Sequence, residues 1–235
     1  TIRAHYAGLV KQIDHEVGEI IDSLNKRGLL ENTVIIFTTD HGDYLGDHGL
    51  DGKAAFFEAA THIPLLVSLP GDLQGSVNSD LVELRDITAT ILKIAGCDQP
   101  KYMDAQILPG LGLQAPSART RIFGMLTQGW MVFDGQWKLC QYSLGGPMLF
   151  NLKEDPLEES DRGSDPSCRQ VLSDLTARLL DGWDPDHVER RVQERRKEME
   201  IIVQWAEHTE PPDLFRWNRT PEMSWSESLG QKSPR

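Results

Sequence analysis

At 235 residues the chain has room for one large domain or one domain with an appendage. Its formal charge of −12 argues against a nucleic-acid partner, which needs a basic face, and no apolar stretch approaches the roughly 20 residues that span a bilayer. The three cysteines Cys97, Cys140 and Cys168 are widely spaced, odd in number and form no CxxC pair, so they read as reduced or buried thiols rather than a zinc or redox site.

Tyr6, Leu9, Ile13, Val17, Ile20 and Leu24 recur at steps of three and four residues. This predicts an amphipathic helix running to about Lys26 and stopped by Gly28. The chain begins inside that pattern, so the expectation is a piece of something longer whose localisation is not legible from its start. Residues 29–32 then turn into a strand at 33–38, where the apolar run Val34, Ile35, Ile36, Phe37 reads as buried.

That run stops at the polar pair Asp40-His41, and a loop spaced by Gly42, Gly46, Gly49 and Gly52 follows, delivering Lys53. A carboxylate and an imidazole at the carboxyl end of a strand are well placed to hold a divalent cation, because ligand crevices of α/β sheets lie there. A lysine on the same loop offers a point charge to an oxyanion. The combination suggests metal-assisted cleavage of a sulfate or phosphate ester.

Residues 54–60 predict a short helical turn and 63–69 a second strand, with Pro64 near its start. Asp86 is expected to N-cap a helix that Gly96 stops. Residues 98–118, rich in proline and glycine, read as a connector. Beyond them, 130–133 and 136–141 flank an Asp134-Gly135 hairpin turn, 148–151 makes another strand, and Val171, Leu175, Leu179 and Leu180 make a helix ended by Gly182. Residues 186–207 predict a charged surface helix packed on one side, and the tail beyond Thr209 carries Trp217 and Trp225. The expected division is an α/β core part with the site loop at 1–97, the connector at 98–118, a small antiparallel β plus helix subdomain at 119–182, and the charged helix with its tail at 183–235.

Several ordered motifs now carry a family resemblance. Residues 32–53, NTVIIFTTDHGDYLGDHGLDGK, are followed by EAATHIPLLV at 58–67, LRDITATILKIAG at 84–96, DGQWKL at 134–139 and LFNLKEDP at 149–156. Over about residues 3–180 the chain resembles the C-terminal half of the sulfatases of the alkaline-phosphatase superfamily. The resemblance implies an α/β fold, namely the C-terminal part of an alkaline-phosphatase-like α/β/α sandwich with a small antiparallel β plus α subdomain. It implies that Asp40 and His41 are metal ligands, with Ca2+ the usual ion and Mn2+ or Zn2+ the imidazole-compatible alternatives. It implies that Lys53 binds sulfate and stabilises charge on the ester oxygen. His48, as a catalytic and substrate-binding candidate, and His62, as a substrate-binding one, lie close enough in sequence to line the same pocket.

The family carries its nucleophile near the N-terminus, in a Cys/Ser-x-Pro-x-Arg motif whose first residue becomes formylglycine. None of the three cysteines here is followed by x-Pro-x-Arg. The expectation is therefore a sulfuric ester hydrolase whose formylglycine sits in a missing N-terminal half, which would be this region's partner, and a fragment that does not turn over substrate alone. The substrate would be a small-molecule or carbohydrate sulfate monoester. A phosphonate monoester or phosphodiester hydrolase on the same scaffold is the alternative within the enzyme class, and a non-catalytic truncated fragment the alternative outside it. The sequence leaves the oligomeric state open, and the Trp-bearing tail is where a homo-oligomer contact would be sought.

Plainer readings stand beside these. Asp40-His41 can serve as a strand-end cap, and Lys53 as a solvated lysine. Asp43 and Asp47 read as solvated loop carboxylates before they read as groups that orient a metal ligand. Asp14 and Glu16 face solvent, the run 189–200 is a solvated helix face, and the Asn218 sequon, followed by Pro221, is discounted.

Overall fold

The four-stranded antiparallel sheet near the middle of the chain organises the molecule. The computed structural model describes residues 2–71, 75–113, 119–126 and 129–209. Strands β3 (Ile122–Leu126), β4 (Gly129–Phe133), β5 (Trp137–Tyr142) and β6 (Met148–Asn151) pair in chain order. Side chains alternate across such a sheet, and both faces here are apolar. Val132, Leu139 and Leu149 stand opposite one another on one face and pack with Cys168, Leu175 and Leu179 from helix α4 (Arg169–Leu179). Met131 and Cys140 stand on the other face and enclose Phe56, which arrives from far upstream.

Upstream of the sheet, helix α1 (Ile2–Lys26) ends as its sequence predicts. Gly28 takes φ +67°, and the amides of Gly28 and Leu29 return to the carbonyls of Asn25 and Leu24. Strand β1 (Ile35–Thr38) pairs antiparallel with β2 (Leu65–Ser68), and the four-residue helix α2 (Glu58–Thr61) lies between them in sequence. Helix α3 (Leu84–Ile94) follows, ending before Gly96 at φ +69°. The architecture is mixed α/β with small antiparallel sheets.

Several expectations need correction. The strand read as buried is only half-covered, with Phe37 38% exposed, and no α1 residue is buried. Asp86 is not the N-cap of α3. Glu83 takes that place, and Asp86 sits three residues on, its carboxylate accepting from the Glu83 amide at 2.8 Å in a reciprocal capping box. Burial and Arg119 explain the switch: the guanidinium holds both Asp86 oxygens, at 2.7 and 2.9 Å, against the helix start. The hairpin turn is shifted by one residue. The Asp134 amide bonds Trp137, so Gly135 and Gln136 form the tip, with φ +92° at the glycine alone, as a type II′ turn requires. Strand β3 is not legible in the sequence, because Gly124 interrupts its apolar pattern.

The chain divides into two compact units, Thr1–Asp181 and Gly182–Arg235. In the second, helix α5 (Pro185–Thr209) begins with proline in its first turn, and the Asp184 carboxylate accepts from the Asp186 amide at 2.9 Å. The packed side expected for this helix is not seen, since none of its residues is buried. Its surface is laced by Arg191–Glu194 and Arg195–Glu198 pairs. Trp217, Trp225 and the Asn218 sequon lie outside the described residues. No described helix is long and apolar enough to cross a membrane.

Candidate functional site

Strand β1 releases the chain at Thr38, and the next three residues form a local hydrogen-bonded knot. Asp40 Oδ1 accepts from the His41 amide at 3.0 Å, and the Thr39 hydroxyl reaches the His41 carbonyl at 3.3 Å. The strand-end cap is thus real, and it leaves the other carboxylate oxygen facing the His41 ring. Desolvation works against the Asp40 charge, but backbone hydrogen bonds and the adjacent His41 outweigh it and hold the carboxyl below the usual carboxylate range.

His41 is oriented by its backbone. Its Nδ1 lies 2.8 Å from the Gly42 carbonyl, which can only accept, so Nδ1 carries the proton and Nε2 presents a lone pair. That Nε2 faces Asp40 Oδ2 at 3.3 Å and touches Lys53 Nζ. A histidine whose Nδ1–H is fixed by a carbonyl is the usual arrangement of a metal-ligating imidazole. The donor set therefore fits a cation at Asp40 and His41. Among the described residues no group of three or more His, Cys, Asp or Glu side chains gathers at one point, so a four- or six-coordinate cation needs donors beyond this pair.

The loop that carries Lys53 is held from several sides. Gly42 runs so close to α2 that a Cβ on it would lie 2.0 Å from the Ala59 carbonyl oxygen, and its amide donates to Ala60 at 2.9 Å. Tyr44 is buried, and its hydroxyl both donates to the Ala55 carbonyl at 2.5 Å and accepts from the Ala55 amide at 2.8 Å, closing the loop on itself. Arg3 from α1 bonds the Leu45 carbonyl at 2.9 Å and Asp47 at 2.5 Å. Asp47 is thus an anchor for α1, and Asp43 caps the Leu45 amide at 2.9 Å; neither is merely solvated.

Of the predicted residues, the structure brings Asp40, His41 and Lys53 together. His48 sits elsewhere on the loop, in the left-handed region at φ +54°, its ring stacked on Phe57 with centroids 3.8 Å apart. His62 is exposed and pairs through Nδ1 with Glu58 at 2.9 Å. Both are held by partners outside the Asp40–His41–Lys53 cluster.

Sequence reasoning missed the groups that hold this loop to the sheet. Phe56 fills a slot left by two glycines: a Cβ at Gly124 or Gly129 would come within 3.1 or 3.2 Å of its ring. The Phe56 amide donates to the Tyr142 hydroxyl at 3.2 Å, and burial pushes that phenol up to about 12. Beside it Lys138, 1% exposed, pairs with Glu58 at 2.8 Å and with Glu158 at 2.5 Å. The only available signal was that Lys138 and Glu158 fall in or beside the quoted motifs at 134–139 and 149–156.

The sulfatase family model matches residues 1–97. The multifunctional alkaline phosphatase superfamily protein PehA of Trinickia caryophylli is 30% identical over 213 residues, covering 80% of this chain and 41% of that protein. Arylsulfatase K of Bos taurus is 30% identical over 223 residues, covering 88% and 41%. Among solved structures, the phosphonate monoester hydrolase SpPMH of Silicibacter pomeroyi superposes with a TM-score of 0.69 at 29% identity, covering 77% of this chain and 40% of that one. The chain thus spans less than half the length of these relatives.

Proposed function

Because the chain belongs to the sulfatase family, we propose that it forms part of a sulfuric ester hydrolase acting on sulfate monoesters with the aid of a divalent cation. Ca2+ is the first candidate, with Mn2+ or Zn2+ the imidazole-compatible alternatives. The single observation that supports this reading is the meeting of Asp40, His41 and Lys53 at the carboxyl end of β1. Asp40 and His41 Nε2 would hold the cation, which when bound supplies a Lewis acid for the ester oxygens. The Gly42 carbonyl keeps the imidazole in the tautomer whose Nε2 carries a lone pair toward Asp40 and Lys53. Lys53 carries three donors on a flexible stem and neutralises charge that builds on the oxygens during cleavage.

The reading includes a nucleophile, formylglycine, contributed by sequence outside this chain, and a substrate that is a small-molecule or carbohydrate sulfate. The uncovered apolar faces of α1 and of β1–β2, with Ile13, Ile20 and Leu66 all exposed, fit a region completed by further polypeptide. Turnover by the 235-residue chain alone is therefore not expected. Phosphonate monoester hydrolysis is the second reading, favoured by the similarity to SpPMH. Both reactions load negative charge onto oxygens near Lys53, so the same residues serve either.

The test is kinetic, on the longer protein that contains this chain. Rates on an aryl sulfate and on an aryl phosphonate ester separate the two reactions. Lys53→Ala should lower kcat by about 10²–10³-fold, the cost of removing one stabiliser of developing charge. A change below about threefold would remove Lys53 from the chemistry, and turnover by purified residues 1–235 would overturn the need for a second part.

A further inference from the structure

Three buried charges join the sheet to the site loop. Lys138 projects from β5 on the face that also carries Cys140 and Met131, and it is buried between Glu58 and Glu158. Glu158 is buried too, and its other oxygen accepts from the Glu58 amide at 2.6 Å, across 100 residues of chain. Helix α2 begins at Glu58 with no side-chain cap from its own N-cap residue, Phe57. Glu158 therefore caps it from the distant subdomain. Glu158 does so from a left-handed backbone, at φ +56°, which a non-glycine residue adopts only where the surroundings demand it.

Helix α2 is also where the site loop is fastened. The Gly42 amide next to His41 bonds Ala60, and the His48 ring lies on Phe57. Two lines of contact thus run from Glu158 through α2, one to the start of the loop at Gly42 and one to His48. We propose that Glu158 and Lys138 are positioning residues: together with Glu58 they form a buried strut that sets α2 against the sheet and thereby fixes His41 and Lys53 in working register. A charged strut suits this task better than an apolar one, because the Lys138–Glu58 bond and the bond from the Glu58 amide to Glu158 are directional, whereas apolar contacts tolerate sliding. Any effect on turnover rests on the hydrolase reading above; the effect on His41 geometry does not.

The experiment therefore has a readout independent of activity. In the 235-residue chain with 15N-labelled histidine, the His41 ring, assigned by its loss in His41→Ala, should show a single Nδ1-protonated tautomer. Glu158→Gln should replace it with an averaged or exchange-broadened pattern. The double variant Lys138→Met with Glu158→Gln, which leaves no unpaired lysine in the sheet, should do the same while folding, and it carries the test if the single variant does not fold. Leu175→Ala weakens the opposite face of the same sheet and should leave the His41 pattern intact. In the longer enzyme, Glu158→Gln should lower kcat at least about 10-fold with KM within about threefold. A His41 ring that is unchanged in both strut variants, or moved equally by Leu175→Ala, would overturn the proposal. Loss of the ring signature in a longer protein that hydrolyses neither ester would leave the strut standing and sink the hydrolase reading.

Discussion

The sheet β3–β6 and the pair β1–β2 are both antiparallel, yet they are stabilised differently. Each face of the larger sheet is covered, by α4 on one side and by Phe56 on the other, and its central residues Val132, Leu139 and Leu149 are fully buried. The smaller pair leaves Phe37 and Leu66 exposed, and α1, which precedes it in the chain, buries nothing. The residues read as chemical all come from the poorly covered region, but residues 54–58 fasten their loop to the well-covered one. Precision at the site is therefore borrowed from the Phe56–Lys138 face of the sheet, and perturbations of that face should be felt at the loop more than perturbations of the α4 face.

The largest contrast is in thiol reactivity. Burial pushes Cys140, on the face that holds Phe56, up to about 12, whereas Cys97 is exposed. At pH 8 only about 10⁻⁴ of Cys140 would be thiolate, the reactive form. A disulfide reagent should label Cys97 within minutes and Cys140 only as the chain opens, with Cys168, also buried, equally slow. The same shift gives a pH dependence. The folded thiol keeps its proton to about 12 while an unfolded one releases it near 9.0, so the folded state binds more protons between those values. Stability should fall as pH rises through that window and be untouched by this group below it. Fast labelling of two or more thiols in the native chain would show that the sheet is looser than its burial implies.

Next in size is Leu139→Ala, which deletes a fully buried side chain at the centre of the α4 face. The expected cost is about 2–5 kcal/mol in denaturant unfolding. The matching truncation on α1, Ile13→Ala, removes a side chain that is 53% exposed and should cost under about 0.5 kcal/mol. Equal costs would erase the distinction between the two regions.

How much of this was legible follows the distance between partners in the chain. Asp40, His41 and Lys53 lie within one stretch of fourteen residues, so a contiguous motif displayed them together. Lys138 and Glu158 stand 80 and 100 residues from Glu58, and no local pattern records that a buried lysine needs two carboxylates. Asp86 was misplaced because aspartate favours N-caps; only the fold reveals Glu83 in that role and Arg119 holding Asp86. The α1 stripe is legible as a helix but its exposure is not, since periodicity reports which side is apolar and says nothing of what packs on it.

Two glycine replacements sharpen the comparison at its finest grain, because they differ in sign. Gly129 starts β4 where a Cβ would meet Tyr142 at 2.6 Å and the Phe56 ring at 3.2 Å. Gly129→Ala should therefore overpack the slot and destabilise by about 1–3 kcal/mol. Gly8 lies inside α1 with nothing within 4 Å of the same position. There the methyl meets only solvent, and the gain in helix propensity should stabilise by about 0.5–1 kcal/mol. Both are read from chemical denaturation of the 235-residue chain. If Gly8→Ala instead destabilises, α1 is packed on that side by something the chain supplies, and the division between a covered sheet and an uncovered helix no longer holds.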